Sequence, residues 1–127
     1  MSEVPIPTMA EALRLLDQRT ISVPELVEDC LTRIALFEPA VHAFVALTAD
    51  TARAEARTAQ AARDAGTATG ALHGLPVGLK DIYETAGIAT TAHSATRTRK
   101  VIAAEEVMRS GSSLRWARVA ASQVRNA

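Results

Sequence analysis

One short segment of this 127-residue sequence holds the residues best suited to chemistry. An apolar run over residues 75–79 leads directly into Lys80 and Asp81. A lysine at the end of a buried strand is costly as an ammonium ion unless it is paired, and desolvation favours its neutral amine, which is a competent general base. Asp81 is adjacent, but neighbouring residues of a strand point to opposite faces. The spacing therefore makes Lys80 a candidate general base, with a simply solvated lysine as the alternative.

Two helices precede this segment in the predicted order of elements. Thr8 and Ser22 are each followed by a glutamate at the third position after them, and this spacing is the capping-box signature of a helix start. Pro24 lies in the first turn of the second helix, where its missing N–H removes no hydrogen bond. The first helix is expected to end over residues 17–20.

The second helix carries a strong amphipathic pattern. Its apolar residues recur at helical spacing and form one stripe: Val23, Leu26, Val27, Cys30, Leu31 and Ile34. Because proline lacks the N–H that a helix interior needs, we expect Pro39 to end this helix near Phe37. Cys30 lies on the stripe and is expected to be a small buried hydrophobe, not a nucleophile.

A strand, an alanine-rich helix and a second strand complete the predicted pattern. Residues 42–47 and 75–79 are short apolar runs bounded by turn residues, as is typical of strands. Residues 49–65 are rich in alanine and end before Gly66, which predicts a helix with a glycine stop. This helix has no broad apolar face, so we expect it to lie over the outside of the fold. The order helix, helix, strand, helix, strand indicates an α/β protein.

The segment from Gly74 onward resembles a known family. Residues 74–81 read Gly-Leu-Pro-Val-Gly-Leu-Lys-Asp, and residues 85–92 contain Thr-Ala-Gly followed by Thr-Thr-Ala. These runs are similar to the Gly-(Ile/Leu)-Pro-x-x-x-Lys-Asp, Thr-x-Gly and Thr-Thr-x-Gly-Ser stretches of the amidase signature family. With the preceding elements, the resemblance covers about residues 8–95. It implies the N-terminal part of the amidase signature α/β/α fold, a mixed sheet covered by helices, here truncated.

The same resemblance implies a chemistry. Members of the family hydrolyse carbon–nitrogen bonds of small-molecule amides with a Ser–cis-Ser–Lys triad, and the family lysine matches Lys80. That lysine is the general base, which acts through a bridging serine on the nucleophilic serine, and an acyl-enzyme forms. No metal and no organic cofactor is expected. One component of the tRNA-dependent amidotransferases, their A subunit, belongs to the same family.

The serine partners of this triad have no clear match in the sequence. The family's serines lie in a Gly/Ser-rich stretch several tens of residues after the lysine, whereas the nearest candidates here are Ser110, Ser112 and Ser113. They lie 30 to 33 residues after Lys80 and lack the flanking glycines, so we interpret them as loop or helix-cap residues. His93 also stands where the family has a glycine. The chain alone is therefore expected to be inactive. The alternatives are a non-catalytic remnant, an interaction module or a fragment of the A subunit of a tRNA-dependent amidotransferase.

The zero net charge of the chain is the sum of two unlike parts. Residues 1–95 hold 7 basic and 12 acidic side chains, whereas residues 96–127 hold 7 basic and 2 acidic ones. The family pattern is also lost near Met108. We therefore predict the N-terminal part of an amidase domain over residues 1–95 and a divergent basic tail over residues 96–127. Our explanation for the tail is a shifted reading frame in GC-rich DNA, a pseudogene event or a mis-called gene.

A functional tail is the alternative to a shifted frame. Four apolar residues have helical spacing, Leu114, Ala117, Ala121 and Val124, and the arginines of the tail would decorate such a helix. A basic helix of this kind could bind nucleic acid. Basic composition alone is weak evidence, so we do not expect a nucleic-acid partner.

Composition excludes several other classes of protein. No apolar run approaches the ~18 residues of a membrane span, and the N-terminus does not resemble a signal peptide. Cys30 is the single cysteine and cannot form an internal disulfide. We expect a cytoplasmic protein with no membrane partner. Part of a larger fold would expose strand edges and an apolar face, so self-association through that face is a further expectation.

Overall fold

A computed structural model describes residues 7–68 and 70–81, together with residues 83, 88 and 122–124. Within them the elements are α1 (Met9–Asp17), α2 (Val23–Val41), β1 (Phe44–Ala46), α3 (Ala49–Asp64), β2 (Gly78–Lys80) and β3 (Ser122–Val124). The predicted order helix, helix, strand, helix, strand is confirmed from α1 to β2, and the chain is an α/β protein. Of the described helices, none is both long enough and apolar enough to cross a membrane.

Hydrogen bonds confirm both predicted helix starts. The backbone N–H of Glu11 donates to Thr8 Oγ1 at 3.2 Å, and that of Glu25 donates to Ser22 Oγ at 3.3 Å. The Glu25 carboxylate accepts in return from the backbone N–H of Ser22 at 2.7 Å. The capping box of α2 is therefore complete, and donors that a helix start leaves without intrahelical partners are satisfied.

Two glutamates of α2 make stability depend on pH. Hydrogen bonds from the side chain and backbone of Ser22 hold the pKa of Glu25 below its ordinary value of 4.5, and a hydrogen bond from Arg53 lowers the pKa of Glu28. A carboxylate with a lowered folded-state pKa stabilises the fold above the unfolded value, and this contribution is lost as pH falls through the folded value. We expect a lower free energy of unfolding at about pH 3 than at about pH 6.

Urea denaturation at the two pH values measures this difference. The control is the double variant Glu25→Gln, Glu28→Gln, whose side chains cannot titrate. Its free energy of unfolding should change less between the two pH values than that of the unmodified chain, and an equal change would contradict the assignment.

The core lies between the three helices. Its buried apolar residues are Ala12, Leu16, Val23, Leu26, Val27, Leu31, Ala52, Ala56, Ala59 and Leu75. The predicted stripe of α2 is confirmed, because four of these residues belong to it. Cys30 and Ile34 are half-buried at its edge.

The position of α3 corrects one prediction. We expected this helix to lie over the outside, but Ala52 and Ala56 are 0% exposed and Ala59 is 5% exposed. These alanines recur at helical spacing and belong to the same buried cluster as the stripe of α2, while Arg57 and Ala61 on the other face are exposed. Small side chains let two helices approach closely, so an alanine stripe can be a packing face without being strongly hydrophobic.

Polar contacts also join α3 to α2. The side-chain oxygen of Gln60 accepts from the backbone N–H of Val23 at 2.9 Å, which satisfies a further donor at the start of α2. In the second turn of each helix, Arg53 donates from two nitrogens to the two carboxylate oxygens of Glu28. The sequence predicted both helices but neither of these contacts.

The end of α2 also differs from the prediction. Pro39 does not end the helix near Phe37, because the helix continues to Val41 with Pro39 in its last turn. A proline there removes one hydrogen bond to the carbonyl four residues earlier. The helix ends instead at His42, which has a left-handed conformation with φ of 51° and donates its N–H to the Glu38 carbonyl oxygen at 2.8 Å.

Glu38 then directs the chain into β1. Its carboxylate accepts from the backbone N–H groups of Ala43 and Phe44, each at 3.0 Å. A carboxylate that accepts two backbone N–H groups holds a tight chain reversal in place. The predicted strand over residues 42–47 is therefore shorter at both ends: residues 42 and 43 lie in the reversal that Glu38 holds, and Leu47 follows the strand.

The three described strands form a mixed sheet, as predicted. β3 lies between the other two, antiparallel to β1 and parallel to β2. In the register of the parallel pair, Gly78 is opposite Ser122 and Lys80 is opposite Val124.

One predicted strand and one predicted helix end need correction. The second predicted strand, residues 75–79, is displaced to Gly78–Lys80 because Pro76 has no N–H for a strand ladder and Leu75 packs into the helical core instead. The alternative of a functional tail placed Val124 at the end of a short helix, but this residue lies in β3. The other apolar residues of that predicted helix lie outside the described residues.

Candidate active site

Lys80, the predicted general base, is the last residue of β2. Its side chain is exposed, whereas Asp81, the next residue, is 0% exposed. The chain then turns, and the backbone N–H of Tyr83 donates to the Lys80 carbonyl oxygen at 3.1 Å. The exposed side chain agrees with the alternative of a solvated lysine, because burial alternates along β2 and only Leu79 of its three residues is half-buried. The amine is therefore open to groups outside the described residues.

The turn that precedes this strand is buried and requires a glycine. His73 is 2% exposed and Leu75 is 6% exposed, on either side of Gly74. Gly74 has a φ of +90°, and a Cβ added there would lie 2.7 Å from Val23 Cγ2. A side chain at this position would meet the start of α2, so only glycine fits without a shift of the core.

Side chains and backbone of the helices hold this turn. The His73 ring donates from Nε2 to the carbonyl oxygen of Ala59 in α3, at 2.9 Å. Arg63, in the last turn of α3, donates from Nη2 to the His73 carbonyl oxygen at 3.0 Å and from Nη1 to Asp17 Oδ1 at 2.9 Å. Contacts with α1, α2 and α3 therefore hold the start of the 74–81 segment in place.

Sequence reasoning found Lys80 but missed the residues that anchor the turn. Arg63 and Asp17 are 46 residues apart in the sequence, and helical periodicity relates only residues of neighbouring turns. No local pattern could predict this pair. Gly74 did carry a signal, because it begins the Gly-Leu-Pro run, but the physical reason for it depends on the packing of α2.

The other residues named from the sequence contribute little to this site. His93 and the serine cluster Ser110, Ser112 and Ser113 lie outside the described residues, as do the arginines of the tail. Cys30 is described, and burial raises the pKa of its thiol, which disfavours the nucleophilic thiolate. Among the described residues, no group of three or more His, Cys, Asp or Glu is placed to hold a metal ion.

A cleft of about 370 Å³ lies where α1 ends and α2 begins, and Lys80 is not part of its lining. Several lining residues already serve the fold: Ser22 and Gln60 satisfy the start of α2, while Arg63 and Asp17 anchor the turn before the strand. The cleft is therefore a junction between helices, and it gives no substrate pocket for Lys80.

Three helices and a mixed sheet, with a Gly-Leu-Pro turn leading to a lysine at a strand end, define the α/β class that the amidase signature resemblance implied. Comparison with known families agrees, since the family model described as Amidase matches residues 25–107. The chain belongs to the amidase family.

Individual relatives support the same family. The A subunit of the glutamyl-tRNA(Gln) amidotransferase of Roseiflexus castenholzii is 47% identical over 87 residues, 68% of this chain and 18% of the relative. An amidase of Pseudomonas putida is 39% identical over 94 residues, 74% of this chain and 20% of the relative. The crystal structure of a bacterial aryl acylamidase of the amidase signature family has 28% identity and a TM-score of 0.66, covering 76% of this chain and 21% of that one. The chain spans about a fifth of the length of these relatives.

Proposed function

We propose that this chain supplies the general-base lysine, Lys80, of a domain that hydrolyses the carbon–nitrogen bond of small-molecule amides by a Ser–cis-Ser–Lys mechanism. The supporting observation is that residues 74–81 lie inside the family match and present Lys80 to solvent at the end of β2, while Asp81 is buried. An exposed amine at a strand end can be reached by the serines and substrate that the rest of such a domain would contribute.

The proton in this mechanism moves from serine to lysine. The amine of Lys80 accepts it through a bridging serine, and the oxygen of the nucleophilic serine attacks the amide carbonyl. Ammonia or an amine leaves, and water then releases the acid from the acyl-enzyme. These steps need no metal or organic cofactor. Since the sequence has no match to the serine stretch, we propose that the chain by itself does not hydrolyse amides.

Lys80 should be essential wherever this segment forms part of a complete domain. Replacing the aligned segment of the Pseudomonas putida amidase with residues of this chain gives a chimaera that tests it. We expect Lys80→Ala to lower kcat/KM of an active chimaera by about 10³-fold or more, because the nucleophile loses its base. Arg57→Ala, an exposed change on α3, serves as the matched control and should leave kcat/KM unchanged.

Two outcomes would contradict these proposals separately. An active chimaera that keeps its kcat/KM in the Lys80→Ala variant would remove Lys80 from the mechanism. Amide turnover by the purified 127-residue chain, abolished by Lys80→Ala, would show that the chain needs no further serine stretch.

A part of an amidotransferase is the second candidate function. The high identity to the Roseiflexus castenholzii protein favours it, and a protein of that kind would work with other protein components and a glutamyl-tRNA. Chimaeras that place the segment in the Pseudomonas putida amidase or in the Roseiflexus castenholzii protein distinguish the two functions. A segment that restores activity only in the Roseiflexus protein supports the amidotransferase, whereas activity only in the Pseudomonas amidase supports a simple amidase.

We also propose that residues 1–95 are the amidase part and residues 96–127 a basic tail. The opposite net charges of the two parts support this division. The family match continues twelve residues into the tail and ends at residue 107, so it supports the predicted loss of pattern at Met108 and not the boundary at residue 95. Translation of the gene in its other reading frames, from the codon of Met108 onward, tests the shifted-frame explanation. A Gly/Ser-rich stretch in one of them supports it, and its absence overturns it.

Self-association is expected at the apolar end of α2. Leu36, Phe37 and Val41 are 60%, 55% and 62% exposed and lie within one broad face of this helix, at its last turns. Val45 and Leu47, in and after β1, are also exposed. We propose that this surface, the α2–β1 apolar face, pairs with a second copy, because covering it removes apolar area from water.

Light scattering over a range of protein concentrations measures this pairing. Phe37→Ser should weaken the association about tenfold, since an aromatic side chain loses its burial in the pair. Ala61→Ser, on the exposed face of α3, is the control and should change nothing. A chain that stays monomeric at every concentration would contradict the proposal.

A further inference from the structure

One side chain joins three parts of the fold at the turn that leads to Lys80. Arg63 donates from Nη1 to Asp17, at the end of α1, at 2.9 Å and from Nη2 to the His73 carbonyl oxygen at 3.0 Å. The Arg63 side chain is only 16% exposed. Because a guanidinium is planar and its donors form a rigid fork, the two bonds fix the His73 carbonyl relative to both α1 and α3.

The surroundings leave this turn little freedom. The His73 side chain is 2% exposed and its ring bonds to the Ala59 carbonyl oxygen at 2.9 Å. The backbone at Gly74 passes so close to α2 that a Cβ there would lie 2.7 Å from Val23 Cγ2 and 3.4 Å from Arg63 Nε. The three helices therefore determine where the turn lies, and Arg63 is in contact with it from α3.

The path from this turn to Lys80 is short and stiff. Lys80 is the seventh residue after His73, and the ring of Pro76 restricts φ to about −65° in between. At the far end, Asp81 is 0% exposed, so the chain is held on both sides of Lys80. A displacement of the His73 carbonyl would be passed along this segment to the lysine.

We propose that Arg63 is a positioning residue for Lys80, which holds the start of the 74–81 segment so that the amine stands at a fixed place at the end of β2. The inference rests on the proposed function of Lys80 as the base. It concerns the position of the Lys80 side chain, however, and that position can be measured without turnover.

The 127-residue chain offers a clean probe, because Lys80 and Lys100 are its two lysines. Acylation of amines under native conditions, read peptide by peptide by mass spectrometry, gives the rate at Lys80 with Lys100 as an internal reference. The test variant is Arg63→Met. The matched control is Arg53→Met, which removes another arginine of α3. The partners of Arg53 are Glu28 and Asp50 on the surface.

We expect Arg63→Met to change the ratio of the Lys80 rate to the Lys100 rate about threefold or more, and to speed amide hydrogen exchange at Leu75 and Leu79 about tenfold, since a charge-assisted bond to the turn is lost. Arg53→Met should leave the ratio and both exchange rates unchanged. Arg63→Lys keeps the charge but not the fork, so its ratio should lie between those of the unmodified chain and Arg63→Met.

Each result decides the proposal. A drop in urea midpoint in Arg63→Met with an unchanged ratio would overturn it, because the role of Arg63 would then be structural only. If Arg63→Met does not fold, Arg63→Lys decides in its place, and an unchanged ratio there overturns the proposal. A changed ratio combined with a chimaera that stays active as Lys80→Ala would uphold the positioning and overturn the proposed function alone.

Discussion

Gly74→Ala should lower the free energy of unfolding by about 3 kcal/mol. The new Cβ would lie 2.7 Å from Val23 Cγ2, which is closer than two carbon atoms approach. Val23 cannot move aside easily, because it is 0% exposed and its β-branched side chain has one preferred rotamer in a helix. The φ of +90° adds a second cost, since L side chains rarely adopt that conformation. Urea denaturation followed by circular dichroism measures the change.

Gly66→Ala is the control that separates the two costs. Gly66 also has a positive φ, +69°, but a Cβ there would meet nothing within 4 Å. We expect this variant to lose about 1 kcal/mol, from the backbone conformation alone. The difference between the two variants then measures the close approach of the turn to α2. Equal losses would contradict the packing of Gly74 against Val23.

The parts of the fold that sequence reasoning predicted well are those set by neighbours in the chain. The capping box of Ser22 and Glu25 involves residues of one helical turn, and the stripe of α2 repeats with the helical period. The same holds for the glycine stop after α3, which ends at Asp64 before Gly66. Local hydrogen bonding and one buried face determine these features, so a pattern in the sequence is enough.

The failures share a different cause, which is that burial depends on distant parts of the chain. The sequence left open whether Lys80 is desolvated or solvated, and the alternation along β2 leaves Lys80 exposed and Asp81 buried. Pro39 is a local exception, because it was expected to end α2, yet the capping of the helix at His42 tolerates a proline in the last turn. The anchoring of Arg63 to Asp17 spans 46 residues and leaves no trace in the local pattern.

The alanines of α3 form a packing face that the sequence pattern does not reveal. Alanine has the highest helix propensity, so a run of alanines predicts a helix equally well whether one face is buried or none is. The sequence therefore indicated the helix and not its position. The structure adds that Ala52, Ala56 and Ala59 belong to the core, with α2 packed close to them.

Ala56→Leu should accordingly lower the free energy of unfolding by about 2 kcal/mol, through overpacking of the α2–α3 contact. Ala56 is 0% exposed in the cluster that includes Val23 and Val27, which are also 0% exposed. The extra methyl groups have to displace one helix or force side chains from their preferred rotamers. The urea midpoint measures the loss.

Ala61→Leu makes the same chemical change on the exposed face of α3, and it should alter the free energy of unfolding by less than about 0.5 kcal/mol, since leucine is nearly as good a helix former as alanine. The pair of variants distinguishes the two positions of α3 directly. A helix that lies over the outside would tolerate leucine at both sites, because hydrophobic area would be gained at no steric cost. A helix packed through its alanines tolerates leucine only at Ala61, because the close approach to α2 at Ala56 exists only while the side chains between the helices stay small.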